Sequence, residues 1–481
     1  MNKPRTIEGR WWIHGSDKPA HFGILSYDPE TGLNLSVKIP QSRTDDEAWH
    51  EIFKGFPARP QVPQLVYGTD EHNKPVTLFG CGCAEWSITS GLDTYRIRSI
   101  AAILNNKATS WEDARFPVAC VHYSLLSQWL NRHPRPQVEA GLLCFKVEAQ
   151  MLVETELASD VHLKIEEIVL PQGSGMESRI EMSHRAWFFF PVHISAKSVL
   201  ANYASVLLRG LSLLTGERVF IDDVSLHSCD PFKPSQDEHL ETCELLIGNS
   251  GVTEARRDAH IPNMVAPFEE IRAYAKDVLK RWFECHERLE PVVDLYFAAT
   301  SNPALSIQSR FLFLAQALEV YHARSTQFSS TESPIETHKA RLRTVVQSVP
   351  TEYQPWVREK LSHSNQKTLA ERISEVLSQH PNEAKLLATG ISDFPTKVRH
   401  GRNYYTHYGQ ELYDSGKVPE GRELIRVTYA LDGLLRICLL KELGVRGEPI
   451  NRILKSSSSL ELFDLESGAE TGSTPPPPAL P

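Results

Sequence analysis

The residues best suited to chemistry lie together in the segment Arg402-Asn403-Tyr404-Tyr405-Thr406-His407. An arginine guanidinium stays charged and can bind two phosphate oxygens at once. A histidine has a reference pKa near working pH, so it can take up or release a proton during a reaction. Asn403 follows the arginine and offers an amide that can orient His407 or donate to a phosphate oxygen. The segment therefore indicates chemistry at a phosphate group.

The Arg–His spacing is by itself a weak signal, because an Arg followed by a His after four or six intervening residues occurs six times in the chain. Context separates the matches, since only Arg402 is followed by Asn and only this pair precedes the last long apolar helix. The other pairs lie in strand-rich sequence, beside the core-like Trp282 or on a charged helix face. They are Arg43/His50, Arg115/His122, Arg179/His184, Arg281/His286 and Arg358/His363.

Composition describes an ordinary globular protein and excludes several classes. The chain has 481 residues, 41% hydrophobic and 23% charged, and this length allows two or three domains. A net charge of −9 argues against a protein that coats nucleic acid non-specifically. The eight cysteines are scattered, so we expect reduced thiols and neither a metal nor a cofactor. The polar N-terminus and the lack of a long uncharged apolar run predict a cytoplasmic protein without a membrane span.

The N-terminal part is predicted to be β-rich. Residues 21–27 and 33–39 alternate across a turn at 28–32 and predict a hairpin, and 64–67 with 75–79 predict another. The spacing of strands and turns favours a β-sandwich or a curved antiparallel sheet. A helix is predicted at 196–215 and closes at Gly216. We place this domain at residues 1–262.

The pattern changes to helices at about residue 266 and predicts an all-α bundle over 266–450. The segment 395–408 is predicted to be a helix, followed by the long apolar helix 420–444. Residues 451–481 are rich in Ser and Pro and are predicted to be a disordered tail. The fold class is therefore α+β, with a β-rich domain that contains a helix followed by a helical bundle.

Two parts of the sequence resemble known families. The Arg-Asn-Tyr-x-x-His motif at the end of a penultimate long helix resembles the HEPN ribonucleases, and Phe311–Glu319 looks like the helix that precedes it in that group. Glu8-Gly9-Arg10-Trp11-Trp12, the first hairpin, the strand at 74–78 and the helix at 196–215 resemble the ApeA N-terminal domain. Together the resemblances reach to about residue 450.

The resemblance implies a metal-independent RNA endonuclease of bacterial anti-phage defence that acts by abortive infection. It assigns catalysis to Arg402, Asn403 and His407, and it makes the N-terminal domain a sensor of a phage trigger. The RNA is expected to be the substrate, with transfer RNA as the first candidate. Arg399 and Tyr404 are candidate substrate-binding residues, although a plain charged helix face explains Arg399 equally well.

Cleavage at the 2′-OH needs a base and an acid, whereas one motif supplies a single histidine. A two-fold homodimer would bring two motifs to one groove, with the long apolar helix and the nearby tyrosines in its interface. Five residues of helix rotate the chain by roughly 140° between the Arg and the His. We therefore expect the helix to end near His407, with Gly409 just past its end, or the Arg to reach around. Gly401 indicates close approach by another chain.

The alternative interpretation is a non-catalytic module. Its helical part would dimerise or bind a nucleotide, and its β-rich part would bind a protein or a carbohydrate. The presence of Arg402, Asn403 and His407 together disfavours this interpretation, because a module without catalysis does not need all three.

Overall fold

Alternation along the strands builds the N-terminal part of the protein. The computed structural model divides into two units, Met1–Phe283 and Glu284–Pro481. In β2 (His21–Asp28) every second residue is buried, and β3 (Gly32–Pro40) pairs with it in antiparallel register. The structure describes residues 4–13, 20–28, 31–40, 65–89, 92–130, 136–139, 142–145, 151–157, 160–172, 179–232, 240–248, 264–302, 304–328, 335–362, 364 and 366–455.

Among these residues, fourteen strands form one antiparallel sheet in the order β12-β13-β14-β9-β15-β16-β8-β5-β4-β1-β2-β3-β7-β6, and β10 pairs with β11 separately. The predicted antiparallel sheet and both hairpins are confirmed. The remaining strands are β1 (Arg5–Ile13), β4 (Leu65–Asp70), β5 (Pro75–Phe79), β6 (Gly82–Thr89), β7 (Leu92–Ser99), β8 (Ala101–Leu104), β9 (Arg115–Tyr123), β10 (Pro136–Glu139), β11 (Leu142–Phe145), β12 (Met151–Glu156), β13 (His162–Gln172), β14 (Arg179–Ser195), β15 (Ile221–His227) and β16 (Thr242–Ile247).

Strand β7 was not predicted, because two of its buried positions are polar. The buried side of β7 consists of Asp93, Tyr95, Ile97 and Ser99. Because Tyr95 and Ile97 are apolar and the other two are polar, the alternation of hydrophobic residues that indicates a strand is incomplete. The Ser99 hydroxyl donates to the Phe79 carbonyl oxygen at 2.7 Å, which satisfies the buried group.

The predicted helix at 196–215 is confirmed as α2, which has a π-helical stretch at Val199–Ala204 and ends at Gly216 with φ 74°. It is the one described helix apolar and long enough to cross a membrane, but over half of it is buried, as in the core helix of a globular unit. Trp282 packs against Gly210, and its indole nitrogen donates to the Val206 carbonyl oxygen at 2.6 Å. Residues up to 283 therefore belong to the N-terminal unit, whereas the sequence placed the boundary near 262–266.

The C-terminal unit is helical, as predicted. Its helices form because apolar residues repeat at helical spacing and supply buried faces. Besides the short N-terminal α1 (Leu126–Leu130), the helices that follow α2 are α3 (Phe268–Ile271), α4 (Ala275–Thr300), α5 (Ile307–Arg324), α6 (Ile335–Gln347), α7 (Gln354–Leu361), α8 (Leu369–Gln379), α9 (Pro381–Leu387), α10 (Phe394–His407), α11 (Gln410–Asp414) and α12 (Gly421–Glu442).

The helical unit extends further than the sequence indicated. Residues 448–455 form a last helix, α13, whose Ile450, Ile453 and Leu454 are buried. Residues 451–455 of the predicted tail lie in this helix, and their apolar side chains contribute to the core. Residues 456–481 lie outside the described part of the chain.

Candidate functional site

Helix α10 carries the Arg–His motif and is held by its opposite face. Phe394, Val398, Gly401 and Tyr405 are buried at spacings of four, three and four residues. The Tyr405 hydroxyl donates to the Pro419 carbonyl oxygen at 2.8 Å. This face fixes the rotation of α10 and leaves the motif side chains towards the opposite side.

Gly401 has an explanation within the chain, which corrects the expectation that another chain approaches it. A Cβ atom at this position would lie 2.8 Å from Phe311 Cζ and 3.1 Å from Pro419 Cγ. Contacts under 3.0 Å require a neighbour to shift. The glycine therefore allows α10 to pack closely on α5 and on the loop before α12.

Helix α10 ends at His407, close to the predicted position, but the left-handed residue just past its end is Tyr408 and not Gly409. His407 is the last helical residue, and Tyr408 takes the left-handed conformation with φ 50°. The Tyr408 amide donates to the Tyr404 carbonyl oxygen at 2.6 Å. Gly409, the residue expected past the helix end, has an ordinary φ of −68°. His407 itself is exposed.

Arg402, Thr406 and His407 line one groove of about 630 Å³. The long Arg402 side chain and the terminal position of His407 therefore overcome the rotation of roughly 140° that separates them on a regular helix. The Thr406 hydroxyl lies between them in sequence and donates to the Arg402 carbonyl oxygen at 2.6 Å. The groove brings together the two side chains on which phosphate chemistry depends.

Helix α5 forms the facing wall of this groove through Ser309, Leu312, Phe313 and Gln316. The sequence did not single out these residues as a groove wall, although Leu312, Phe313 and Gln316 lie in the segment Phe311–Glu319 that resembles the helix before the motif. Gln316 is polar and exposed within an otherwise apolar run, and such a residue marks the open side of a buried helix.

The Arg402 guanidinium is braced by two oxygen atoms. Arg402 Nη2 lies 3.7 Å from Glu319 Oε2, and Nη1 donates to Asn403 Oδ1 at 3.4 Å. Both Arg402 and Glu319 are more than a third exposed, at 41% and 34%, so solvent screens the pair to about 0.2–1 kcal/mol. Asn403 contacts Arg402 rather than His407, and it is not part of the groove lining.

Arg399 and Tyr404, the candidate substrate-binding residues, are not among the groove-lining side chains. Arg399 Nη2 donates to His400 Nε2 at 3.0 Å. Burial, and then the charges of Arg399 and Lys417, lower the pKa of His400, so its ring is neutral and accepts this hydrogen bond. Tyr404 packs among Tyr405, Tyr408 and Tyr413 with ring centroids 5.2–5.4 Å apart.

Two further features concern the possible metal ligands and the competing Arg–His pairs. Within the described ranges there is no group of three His, Cys, Asp or Glu side chains arranged to hold a metal ion. Among the competing Arg–His pairs, Arg43/His50 and His363 lie outside the described residues, and Arg115/His122 lies on strand β9.

Comparison with protein families gives two matches. Residues 312–449, which include most of α5 and the whole of α10, match the family described as Apea-like HEPN. Residues 6–169 match ApeA N-terminal domain 1. Neither the curated proteins nor the solved structures gave a match. The order of the two matched domains is the one that the residues predicted, and the chain is an ApeA-like protein with a C-terminal HEPN domain.

Proposed function

We propose that this HEPN-containing defence protein is an endoribonuclease and that RNA is cut in the groove between α5 and α10. The observation that carries the proposal is that Arg402 and His407 line the same groove. HEPN domains are generally associated with ribonuclease activity, and the matched region contains both residues.

The reaction that suits these residues uses the RNA's own 2′-OH as the nucleophile. A base removes the 2′-OH proton, the 2′-oxygen bonds to phosphorus, and the bond from phosphorus to the 5′-oxygen breaks. An acid returns a proton to the leaving 5′-oxygen, so the products are a 2′,3′-cyclic phosphate and a free 5′-hydroxyl. His407 supplies one proton transfer, and Arg402 stabilises the negative charge on the phosphorane. Because the nucleophile belongs to the substrate, this route needs no metal ion.

One groove supplies one His407, so the proposal includes a homodimer that places a second His407 at the same phosphate. Most of α12 is buried within its own chain, which leaves the long helix a smaller part of the interface than the sequence indicated. On α11, on α12 and just after α10, exposed aromatic and aliphatic side chains that a second copy could contact are Tyr408 at 66%, Tyr413 at 42%, Ile425 at 39% and Tyr429 at 39%.

The biological part of the proposal follows the ApeA resemblance. The N-terminal unit would sense a phage trigger in the cytoplasm and release the nuclease, and the cleaved RNA would stop growth by abortive infection. Transfer RNA is the first substrate to test, since related defence nucleases favour it.

The deciding experiment expresses the full chain with and without phage infection and maps the ends of total RNA. The wild type is expected to fragment RNA and to stop growth, while His407→Ala and Arg402→Ala are expected to do neither. Light scattering on the purified chain is expected to show a dimer. Equal toxicity and equal RNA fragmentation by His407→Ala would show that the catalytic site is misassigned, whereas a wild type that forms dimers but leaves RNA intact would favour the non-catalytic alternative, a module that dimerises or binds nucleotide.

A further inference from the structure

The α5 wall of the groove combines apolar side chains with uncharged polar ones, and cleavage of a phosphodiester requires neither kind. Its apolar side chains are Leu312 and Phe313, and its polar ones are Ser309 and Gln316, while Leu305 lines the groove from the segment before α5. Phe313 is half-buried, so one part of its ring is held by the helix core while the other borders the groove. Gln316 is exposed one helical turn further along. An aromatic ring beside an amide is a common arrangement for holding a planar, hydrogen-bonding ligand.

The dimensions of the groove leave room beyond the reacting phosphate. Its volume of about 630 Å³ falls within the range of about 300–1,000 Å³ that encloses small-molecule ligands. Arg402 and His407 occupy the α10 side of the groove, so a phosphate bound there would direct a neighbouring nucleotide towards α5. A single-stranded RNA can turn one base out of its stack into such a site, because an aromatic ring replaces the lost stacking.

We propose that the α5 wall is a nucleobase subsite, in which Phe313 stacks on the base beside the cleaved phosphate and Gln316 hydrogen-bonds to its edge. The inference rests on the proposed ribonuclease function and names single-stranded RNA as its substrate class. An amide offers both a donor and an acceptor, so Gln316 can distinguish bases by their edges. Phe313 supplies binding to any base, since every base has a flat π face.

A base fits this wall better than a second copy of the chain does. The groove is lined by Arg402 and His407 of this chain. A second copy of the chain that filled the α5 side of the groove would exclude the RNA from these two side chains. The exposed Gln316 amide would also need a matching partner if another protein buried it.

The test uses the purified full-length chain and a randomised single-stranded RNA pool, with the cut ends sequenced. The wild type is expected to show a base preference at a position next to the cut. Gln316→Leu, which keeps the side-chain size, is expected to reduce that preference about fivefold by removing the hydrogen bonds. Phe313→Leu is expected to raise KM about tenfold with a smaller change in kcat, and Phe313→Tyr is expected to restore it. Gln347→Leu, at an exposed position on α6, is the matched control and should behave as the wild type.

Binding is measured in parallel by fluorescence anisotropy, with the His407→Ala chain and labelled oligonucleotides of adenosine, cytidine or uridine. If the wild type cuts RNA while the Phe313 and Gln316 variants keep its base preference and affinity, the subsite is wrong and the ribonuclease proposal survives. If these variants become monomeric and inactive together, the wall contacts a second copy and the subsite is again wrong. If no variant of the chain cuts RNA, the ribonuclease proposal fails, and an unchanged affinity in Phe313→Leu would overturn the subsite as well.

Discussion

Two clusters of arginine, histidine and glutamate in the helical unit use the same residue types for different ends. In the His322 cluster, the ring of His322 is 4% exposed, its Nε2 lies 2.6 Å from Glu375 Oε2, and Arg372 Nη1 lies 3.3 Å from its Nδ1. Phe328 stacks on the same ring at 4.5 Å. In the groove, His407 is exposed, and the contacts of the Arg402 guanidinium with the described residues are a screened ion pair and one long hydrogen bond.

The protonation states of His322 and Glu375 explain why the His322 cluster is closed, in the sense that its polar groups bind one another and not a ligand. Burial lowers the pKa of His322, against the pull of the Glu375 hydrogen bond. Burial raises the pKa of Glu375, but hydrogen bonds from Lys367 and His322 outweigh it and the net direction is downward. His322 is therefore neutral, donates through Nε2 to the charged Glu375, and accepts at Nδ1 from Arg372. Both ring nitrogens of His322 and both carboxylate oxygens of Glu375 have partners, so these groups stabilise the fold and are not available to a substrate.

The two clusters differ in the access of solvent and ligands to their Arg and His side chains, and not in residue type. Both clusters contain an Arg and a His, which come from α8 and α5 in the His322 cluster and from α10 alone in the groove. Only the groove leaves the guanidinium and the imidazole able to exchange their partners for a ligand.

The largest expected effect is on activity, at the groove. His407→Ala should lower kcat for RNA cleavage at least about a hundredfold, because a proton-transfer group is lost. Its melting temperature should stay close to that of the wild type, because the side chain is exposed. Calorimetry measures the melting temperature, and single-turnover cleavage measures the rate of the chemical step. If His407→Ala lost activity only because it had unfolded, the groove and the His322 cluster would no longer differ in role.

The second effect is on stability, at the closed cluster. His322→Ala removes a stacked ring and leaves Glu375 and Arg372 without it, so the free energy of unfolding should fall by about 2–3 kcal/mol. Urea unfolding measures the change, and kcat at low temperature should remain near the wild-type value. A strong loss of kcat in the folded variant would show that the closed cluster also serves catalysis.

A smaller effect is expected where the buried face of α10 supports the groove. Gly401→Ala forces Phe311 or Pro419 to shift, at a cost of about 1–3 kcal/mol, and the better helix propensity of Ala returns about 1 kcal/mol. The net loss in the free energy of unfolding should be about 1 kcal/mol. Gly409→Ala is the matched control, since nothing lies within 4 Å of its Cβ position, and it should be neutral in the same unfolding experiment.

Acid should weaken the closed cluster. The folded-state pKa of His322 lies below its ordinary value of 6.5, so below that pH the unfolded chain takes up a proton that the folded chain does not. The wild-type stability should therefore fall as the pH drops from 6.5 towards the folded-state pKa. The lowered pKa of Glu375 acts in the same direction below its ordinary 4.5. Unfolding curves across this range should show a shallower fall for His322→Ala, and equal slopes would contradict the neutral His322.

The smallest effect is expected at Glu319. Its carboxylate lies 3.7 Å from Arg402 Nη2 and, under the proposed function, would compete with an RNA phosphate for this guanidinium. Glu319→Gln should therefore lower KM for RNA up to about fivefold, the limit for a screened surface pair, and leave kcat unchanged. Steady-state kinetics at low salt measure this change. Glu336→Gln, on the exposed surface of α6, is the control, and a tenfold loss of kcat in Glu319→Gln would instead make Glu319 a positioning residue.

The alternation of β2 and β3, the helical period of α2 and α12 and the Arg-Asn-Tyr-x-x-His motif could all be predicted, because each depends on residues close in sequence. Strand β7 could not, since two of its buried positions are the polar residues Asp93 and Ser99, and the Ser99 hydroxyl finds its partner on β5. The end of α10 was predicted at His407, but the left-handed residue is Tyr408 rather than Gly409. The sequence places the domain boundary near 262–266, whereas Trp282 finds its packing partners in α2, about seventy residues earlier in the chain.

By itself the sequence determined the order of a β-rich and a helical part, the motif and the chemistry its side chains allow. These follow from side-chain type and local periodicity, which any stretch of the chain carries with it. Only the tertiary structure decided that α5 supplies the wall facing Arg402 and His407, and that Gly401 packs on Phe311 of the same chain. These are contacts between segments far apart in sequence, and packing alone brings them within a few ångströms of one another.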